Sequence, residues 1–402
     1  MANKILFKTR IGTPGIEIAQ ALQSGNLLLF NGLGGFASGA MVPEPLHGSA
    51  SALQMRQLFS ACNSVLESAS DQAFRVFVSE QRFAAARTVP VMHRYRRESW
   101  QPVPPSTSVL LPSQGPGSSC IQLDALAGAA DAVEYLDIKA IDIPSTSGFV
   151  PAASFGKTLF SVAGFMAAHG KGDLGGISPE VMLPAGHQWK GNRIQREVDY
   201  IWRQKLQPIL QELGLGVDTI SKATIFYTEP EDLGDVVEAW NDLHSGTPPM
   251  THFISVRHEG LAIFDARVEI NLYMDAERSA RALPAGCPND GMSQAARFGE
   301  HLILLIYPDP APESDQACFS QTEFEAWNMA EKLKAVLDEW GVGFDAVARL
   351  AQFMRQPDDI LQSCRIWEKY FGPNPIPLSL WACDHLPHRS IGSYGEVWVK
   401  CP

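Results

Sequence analysis

Long uncharged apolar runs are missing from this 402-residue chain. Nowhere do about 18 such residues stand together, so no membrane-spanning helix is expected. Met1 to Arg10 lacks the apolar core of a secretory signal, so a cytoplasmic protein without a membrane partner is expected. Basic charge is also scarce: 32 Lys and Arg face 44 Asp and Glu, a formal net charge of −12. A phosphate backbone needs clustered cations, so no nucleic-acid partner is expected. The one basic cluster, Arg94, Arg96 and Arg97 followed by Glu98, reads as a solvated helix end. The seven cysteines (62, 120, 287, 318, 364, 383 and 401) are odd in number. With no C-x-x-C pair and no zinc-like spacing, they argue against a disulfide framework or a bound metal and for a reducing compartment. No cofactor is expected.

What the chain does have is apolar material, 45% against 19% charged residues, and a pattern that recurs three times. A small-residue stretch, a Gly turn and an apolar strand open each copy, as in Ser24-Gly-Asn-Leu-Leu-Leu-Phe-Asn-Gly32, Phe155-Gly-Lys-Thr-Leu-Phe-Ser-Val162 and Phe298-Gly-Glu-His-Leu-Ile-Leu-Leu-Ile306. Gly25, Gly156 and Gly299 suit hairpin positions that need a positive φ. A helix follows each hairpin, over 54–70, 196–214 and 323–341. The second carries Val198, Ile201, Trp202, Leu206, Ile209, Leu210 and Leu213 on one stripe and stops at Gly214. Next come a strand (74–79, 220–228, 344–354) and a second helix, opened by Glu229-Pro-Glu-Asp232 and Gln356-Pro-Asp-Asp359 in the later copies. A Pro-led strand (104–111, 248–256, 375–382) and a last strand (120–126, 265–274, 395–401) close the unit as ββαβαββ. Modules are expected at 1–135, 145–276 and 288–402, with linkers at 127–144 and 276–288.

This order, with the Ser24-to-Gly32 hairpin and the strand Ser221-Lys-Ala-Thr-Ile-Phe-Tyr-Thr228, resembles the Rid (YjgF/YER057c/UK114) family of reactive-intermediate deaminases. The resemblance spans most of the chain and is weakest in the third copy. It implies an α+β fold in which three fused modules form an intramolecular pseudo-trimer, with unequal clefts between neighbours. The family's deaminases hold the substrate carboxylate with an arginine on the penultimate strand. The matching segments here, Pro104-Pro-Ser-Thr-Ser108, Pro249-Met-Thr-His-Phe253 and Pro375-Ile-Pro-Leu-Ser379, have none.

The last strand of the second copy alternates Val268, Ile270, Leu272 and Met274 with Arg267, Glu269, Asn271 and Tyr273, which predicts one core face and one polar face. The resemblance turns the polar face toward a cleft and makes Glu269 the catalytic carboxylate. A two-residue register shift would put Arg267 or Asn271 there. The same phase gives Gln122 and Asp124 in the first copy and Glu396 in the third, so Glu396 is a second catalytic candidate. Such a carboxylate is needed because water attacking an imine carbon must lose a proton while the amine gains one. Arg257, Arg267 and His252 are candidate holders of a substrate anion. Cys383 with His385 is a candidate binding pair, with Cys383 also weighed as a nucleophile. The run from Gly170 to Gly176 lacks the phosphate-loop signature and reads as a cleft edge.

The expected activity is hydrolytic deamination of an enamine or imine, releasing ammonia, in catabolism of a nitrogen-containing ring or amino acid. The partner would be a small carboxylate or compact polar ring, and the protein a monomeric pseudo-trimer or a higher oligomer of it. Two other readings stay open. One is a chorismatase-like or cyclic-amide hydrolase, loosely echoed by Cys383 and Glu396. The other is a non-catalytic metabolite-binding pseudo-trimer.

Overall fold

The structure is a computed structural model. It describes residues 3–401 except 13–14, 35–48, 70–72, 114–118, 142–147, 170–175, 184–191, 245–247, 278–293 and 311–319. Cys287, Cys318, nearly all of the second expected linker and the body of the 170–176 run lie outside the described residues. Among those described, no helix is long and apolar enough to cross a membrane.

The fold is α+β, with three ββαβαββ modules. The first holds β1 (Lys4–Ile11), β2 (Ile16–Ser24), β3 (Leu27–Gly34), α1 (Ala50–Ser68), β4 (Phe74–Phe83), α2 (Val89–Ser99), β5 (Ser106–Leu110) and β6 (Ile121–Ala129). The second opens with β7 (Val133–Leu136), β8 (Ala152–Phe155), β9 (Leu159–Met166) and a small hairpin of β10 (Ala168–His169) and β11 (Gly176–Ile177). It continues through α3 (Arg193–Ile201), a π turn (Trp202–Leu206), α4 (Gln207–Leu213), β12 (Ile220–Tyr227), α5 (Leu233–Asp242), β13 (Met250–Ser255) and β14 (Val268–Asp275). The third comprises β15 (Gln294–Phe298), β16 (His301–Ile306), α6 (Gln321–Trp340), β17 (Val347–Met354), α7 (Ile360–Phe371), β18 (Leu378–Ala382) and β19 (Ser393–Lys400).

Local chemistry explains the boundaries. Ser320 and Glu323 close a reciprocal capping box at the start of α6, and Gly214 and Gly341 end their helices at φ 67° and 66°. Pro208 has no N–H to give the preceding turn, and the helix widens just ahead of it. Gly25, Gly156 and Gly299 take φ of 59°, 62° and 59° at the hairpin turns.

Each sheet places its hairpin beside the last strand, followed by two parallel strands: β4 with β5, β12 with β13, β17 with β18. Edge strands β1 and β7 extend the first two sheets. The 127–144 segment, expected as a linker, therefore begins inside β6 and contributes β7, which pairs with β8. β7 is short and half polar, so its pattern is faint beside that of a buried strand.

One face of each sheet packs on its own helices in a separate apolar core. The opposite faces meet in a fourth core that draws Phe77 from the first module, Phe226 and Tyr273 from the second, and Phe353 and Trp398 from the third. Burial on both faces is why β12, β14 and β17 are buried from end to end.

The modules close into a ring through one repeated contact. The penultimate strand of each meets the last strand of the next. Asn271 Nδ2 donates to Thr107 Oγ1 at 3.1 Å, His252 Nδ1 meets Glu396 Oε2 at 2.9 Å, and Ser379 Oγ donates to Asp124 Oδ1 at 2.9 Å. The chain thus forms an intramolecular pseudo-trimer with three non-identical clefts.

Candidate active site

Strand pairing fixes which residues are equivalent in the three clefts. β4, β12 and β17 each carry one irregularity against the last strand, at Val76/Val78, Ile220/Lys222 and Val347/Arg349. Counting from it, Glu80, Thr224 and Ala351 face Asp124, Asn271 and Glu396, while Arg82, Phe226 and Phe353 face Gln122, Glu269 and Tyr394. Glu269 is therefore the counterpart of Gln122 and Tyr394. The expectation that Glu396 matches Glu269 is corrected by one two-residue step, which the alternation cannot reveal because residues two apart share one face of a strand.

Glu269 sits where the first and second modules meet. It is 2% exposed, and it lines a cavity of about 910 Å³ with Ser106, Ser108, Gly164, Phe165, His93 and Arg96 among others. Thr107 positions it: the hydroxyl accepts from Asn271 Nδ2 at 3.1 Å and hydrogen-bonds the Glu269 carboxyl. The other oxygen, Oε2, has no partner among the described residues. Burial, with a contribution from nearby Glu80, raises the Glu269 carboxyl to about 8 despite the Thr107 bond. It is a neutral acid at pH 7. Glu80 Oε1 accepts from Tyr273 Oη at 3.0 Å and lies 3.4 Å from Asn271 Nδ2, so the polar face of β14 is a buried network rather than a wet surface.

Gly164 on β9 makes the position possible. A Cβ there would stand 1.8 Å from Glu269 Oε1 and 2.6 Å from Thr107 Oγ1. Gly164→Ala should push the carboxyl out of place, lower any turnover at this site on the order of 100-fold and cost about 1–3 kcal/mol of stability through overpacking. Matched rate and melting measurements check this, and an unchanged rate would count against the placement.

The opposite wall belongs to α2. Arg96, expected in a solvated helix end, is 1% exposed, and its Nη1 donates to Gln81 Oε1 at 3.2 Å. Arg94 and Arg97 are exposed, as that reading implied. Burial, then the charge of Arg97, lowers Arg96 to about 9, so it remains a cation at neutral pH. His93, also on this wall, is lowered to about 4 by burial and by Arg96 and Arg97, and is neutral. The loop between β13 and β14 roofs the cavity, held to the first module by Leu110 N donating to Gly260 O at 2.8 Å.

The other candidates lie elsewhere. Arg267 pairs with Asp232 at 3.3 Å, and the exposed Arg257 lies 3.4 Å from Ala84 O. Neither lines the cavity. His252 and Glu396 meet each other in the second cleft, with Lys222 Nζ donating to Glu396 Oε2 at 2.7 Å, Trp398 Nε1 donating to Oε1 at 2.8 Å, and Tyr394 Oη 2.8 Å from His252 Nε2. Burial alone would raise Glu396, but Lys222 and His252 outweigh it and hold the carboxyl far below its usual range. Burial keeps His252 low. Cys383 is buried and its thiol is driven up by desolvation, whereas His385 is exposed. A thiol so placed is a poor nucleophile. The third cleft is filled by Arg82, whose Nη1 donates to Ser379 Oγ at 2.9 Å and whose guanidinium lies 4.3 Å from the Trp381 ring. Among the described residues no cluster suits a metal ion.

Solved structures resemble this chain. A chorismatase shares 12% identity over 65% of this chain and 76% of its own, with a TM-score of 0.41. The YjgF gene product of E. coli shares 17% over 35% and 98%, at 0.27. A YjgF-family member from Neisseria meningitidis shares 16% over 36% and 93%, at 0.26. No protein-family model matches the chain, and no curated protein matches it significantly. Identities this low assign no reaction.

Proposed function

We propose that the cavity between the first and second modules hydrolyses an enamine or imine to a carbonyl compound and ammonia, with Glu269 as the proton-transfer group. One observation carries this reading: a carboxyl that is neutral at pH 7, fixed by Thr107, with its second oxygen unpartnered at a cavity wall. As an acid it protonates the enamine carbon, giving the iminium. As the resulting carboxylate it takes a proton from the water that adds to the iminium carbon, returns that proton to the carbinolamine nitrogen, and takes up the remaining hydroxyl proton as the carbonyl forms and ammonia leaves. Together the steps add one water, release one ammonia and restore the acid. Arg96 holds an anionic group of the substrate on the far wall. The reaction is assigned to the cytoplasm, since an odd number of cysteines without a C-x-x-C pair suits a reducing compartment.

Ammonia release from imines generated in place by an amino-acid oxidase tests the reading, measured against their decay in buffer. No acceleration with any imine would sink it. Thermal stabilisation by ligands without turnover would favour the binding-module reading. A neutral acid also suits protonation of an enolpyruvyl ether, and pyruvate release from chorismate separates that chemistry from deamination.

A further inference from the structure

The cavity that Glu269 lines is divided by chemistry. On its polar side stand Arg96 and Ser108, joined through Gln81 Oε1 at 3.2 and 2.9 Å, with His93 nearby on α2. With Arg96 charged and His93 and Glu269 neutral, hydrogen-bond donors prevail there at neutral pH. The carboxylates at the cavity are accounted for otherwise: Asp265 pairs with Arg193 at 2.8 Å, and Glu259 is exposed at the rim. Arg97, Lys205 and His169 add further polar groups to the lining, and much of the rest is apolar. Phe149 and Phe165 meet edge to face at 6.3 Å, and Leu261, Ile263 and Phe264 line the cavity from the β13–β14 loop. Phe264 is 82% exposed. Its loop is framed by two non-glycine residues in left-handed conformation, Glu259 at φ 57° and Asp265 at φ 65°. Such residues persist where surrounding contacts hold them, and they hold an aromatic ring in water at the mouth of a site.

We propose that this cavity takes a carboxylate bearing a branched-alkyl or aryl group, the anion against Arg96 and the apolar group between Phe149, Phe165 and the Phe264 loop, rather than a compact polar ring. The proposal rests on the reading of this cavity as the active site and adds its substrate class. A compact ring would leave the Phe264 face bare, whereas an aryl or branched chain covers it. Burial of apolar surface then sets the order of affinity within a series of acids.

Calorimetric titration of the full chain with pyruvate, 4-methyl-2-oxopentanoate and phenylpyruvate tests this, since these stable 2-oxo acids are the products of the corresponding imines. Phenylpyruvate is expected to bind tighter than pyruvate on the order of 100-fold, with the branched acid between them. The methyl ester of phenylpyruvate should bind at least about 10-fold more weakly than the acid. Phe264→Ser, at a position too exposed to threaten folding, should weaken phenylpyruvate several-fold and leave pyruvate unchanged. Equal affinity along the series, or an ester that binds as well as its acid, would overturn the proposal. Phenylpyruvate binding as expected, with no acceleration of hydrolysis of its imine, would instead overturn the deaminase reading and leave the ligand class standing.

Discussion

Replacing Glu269 by Gln is expected to lower turnover by about 10²- to 10⁴-fold while the protein stays folded. The amide keeps the shape and can still hydrogen-bond Thr107, but it neither gives nor takes a proton. The native rate should fall as pH rises through about 8, where the acid ionises. Stability moves with the same proton. Folded Glu269 keeps it up to about 8, against an ordinary value of 4.5, so the folded state binds the extra proton between those values. That contribution is fully present below 4.5 and is lost as pH rises through about 8. Glu269→Gln never ionises, so it should gain on the native protein in melting temperature toward about pH 9 and be close to it in mild acid. A flat rate profile, or a variant as active as the native chain, would remove Glu269 from the chemistry.

How much of this was legible in the sequence depends on burial. The hairpin glycines, the stripe on α3 and α4 and the alternation of β14 were readable, because each is a local consequence of backbone geometry. Edge strands β1 and β7 were not, since a half-exposed strand needs little apolar patterning. Arg96 was misread for a different reason. In α2 it sits beside the exposed Arg97, and only the packing of α2 on its own sheet turns it inward against Gln81 of β4. Thr107 and Gly164 carry no signal of their own: one is a strand threonine, the other a glycine whose missing Cβ matters only because Glu269 arrives from another strand. The register of β19 against β17 was equally hidden, because a two-residue step leaves the alternation of the strand unchanged and only its pairing places Glu396 opposite Ala351 and Tyr394 opposite Phe353.

Fusion explains why the clefts differ. Three separate chains would carry the same residue at the Glu269 position in every cleft. Joined in one chain, the positions have parted into Gln122, Glu269 and Tyr394, and Arg82 with Trp381 and Tyr394 with Phe353 occupy the space between modules elsewhere. The first-to-second cleft keeps the neutral acid beside a large cavity, and the other two are built as joints.

That division gives the second large expectation. Lys222→Met should destabilise the chain by about 3–5 kcal/mol, the usual cost of leaving one partner of a buried ion pair alone. Lys222 and Glu396 are 4% and 3% exposed at the side chain, so little solvent is at hand to replace the lost charge. Lys222→Met with Glu396→Gln should cost less than Lys222→Met alone, because the amide accepts from Trp398 without needing a cation. In the native chain Glu396 is held below its usual value, so the stability it contributes is present above that value and lost only in strong acid. In the single variant the sign reverses. A buried carboxylate without its lysine gains by taking up a proton, on itself or on His252 at 2.9 Å, so the deficit should be largest at alkaline pH and shrink on acidification. Urea unfolding midpoints across pH measure both trends. An undiminished midpoint for Lys222→Met would mean that the cluster is not what joins the second and third modules, while deaminase activity measured in the same variant at low temperature should persist, since the cluster lies outside the cavity that Glu269 lines.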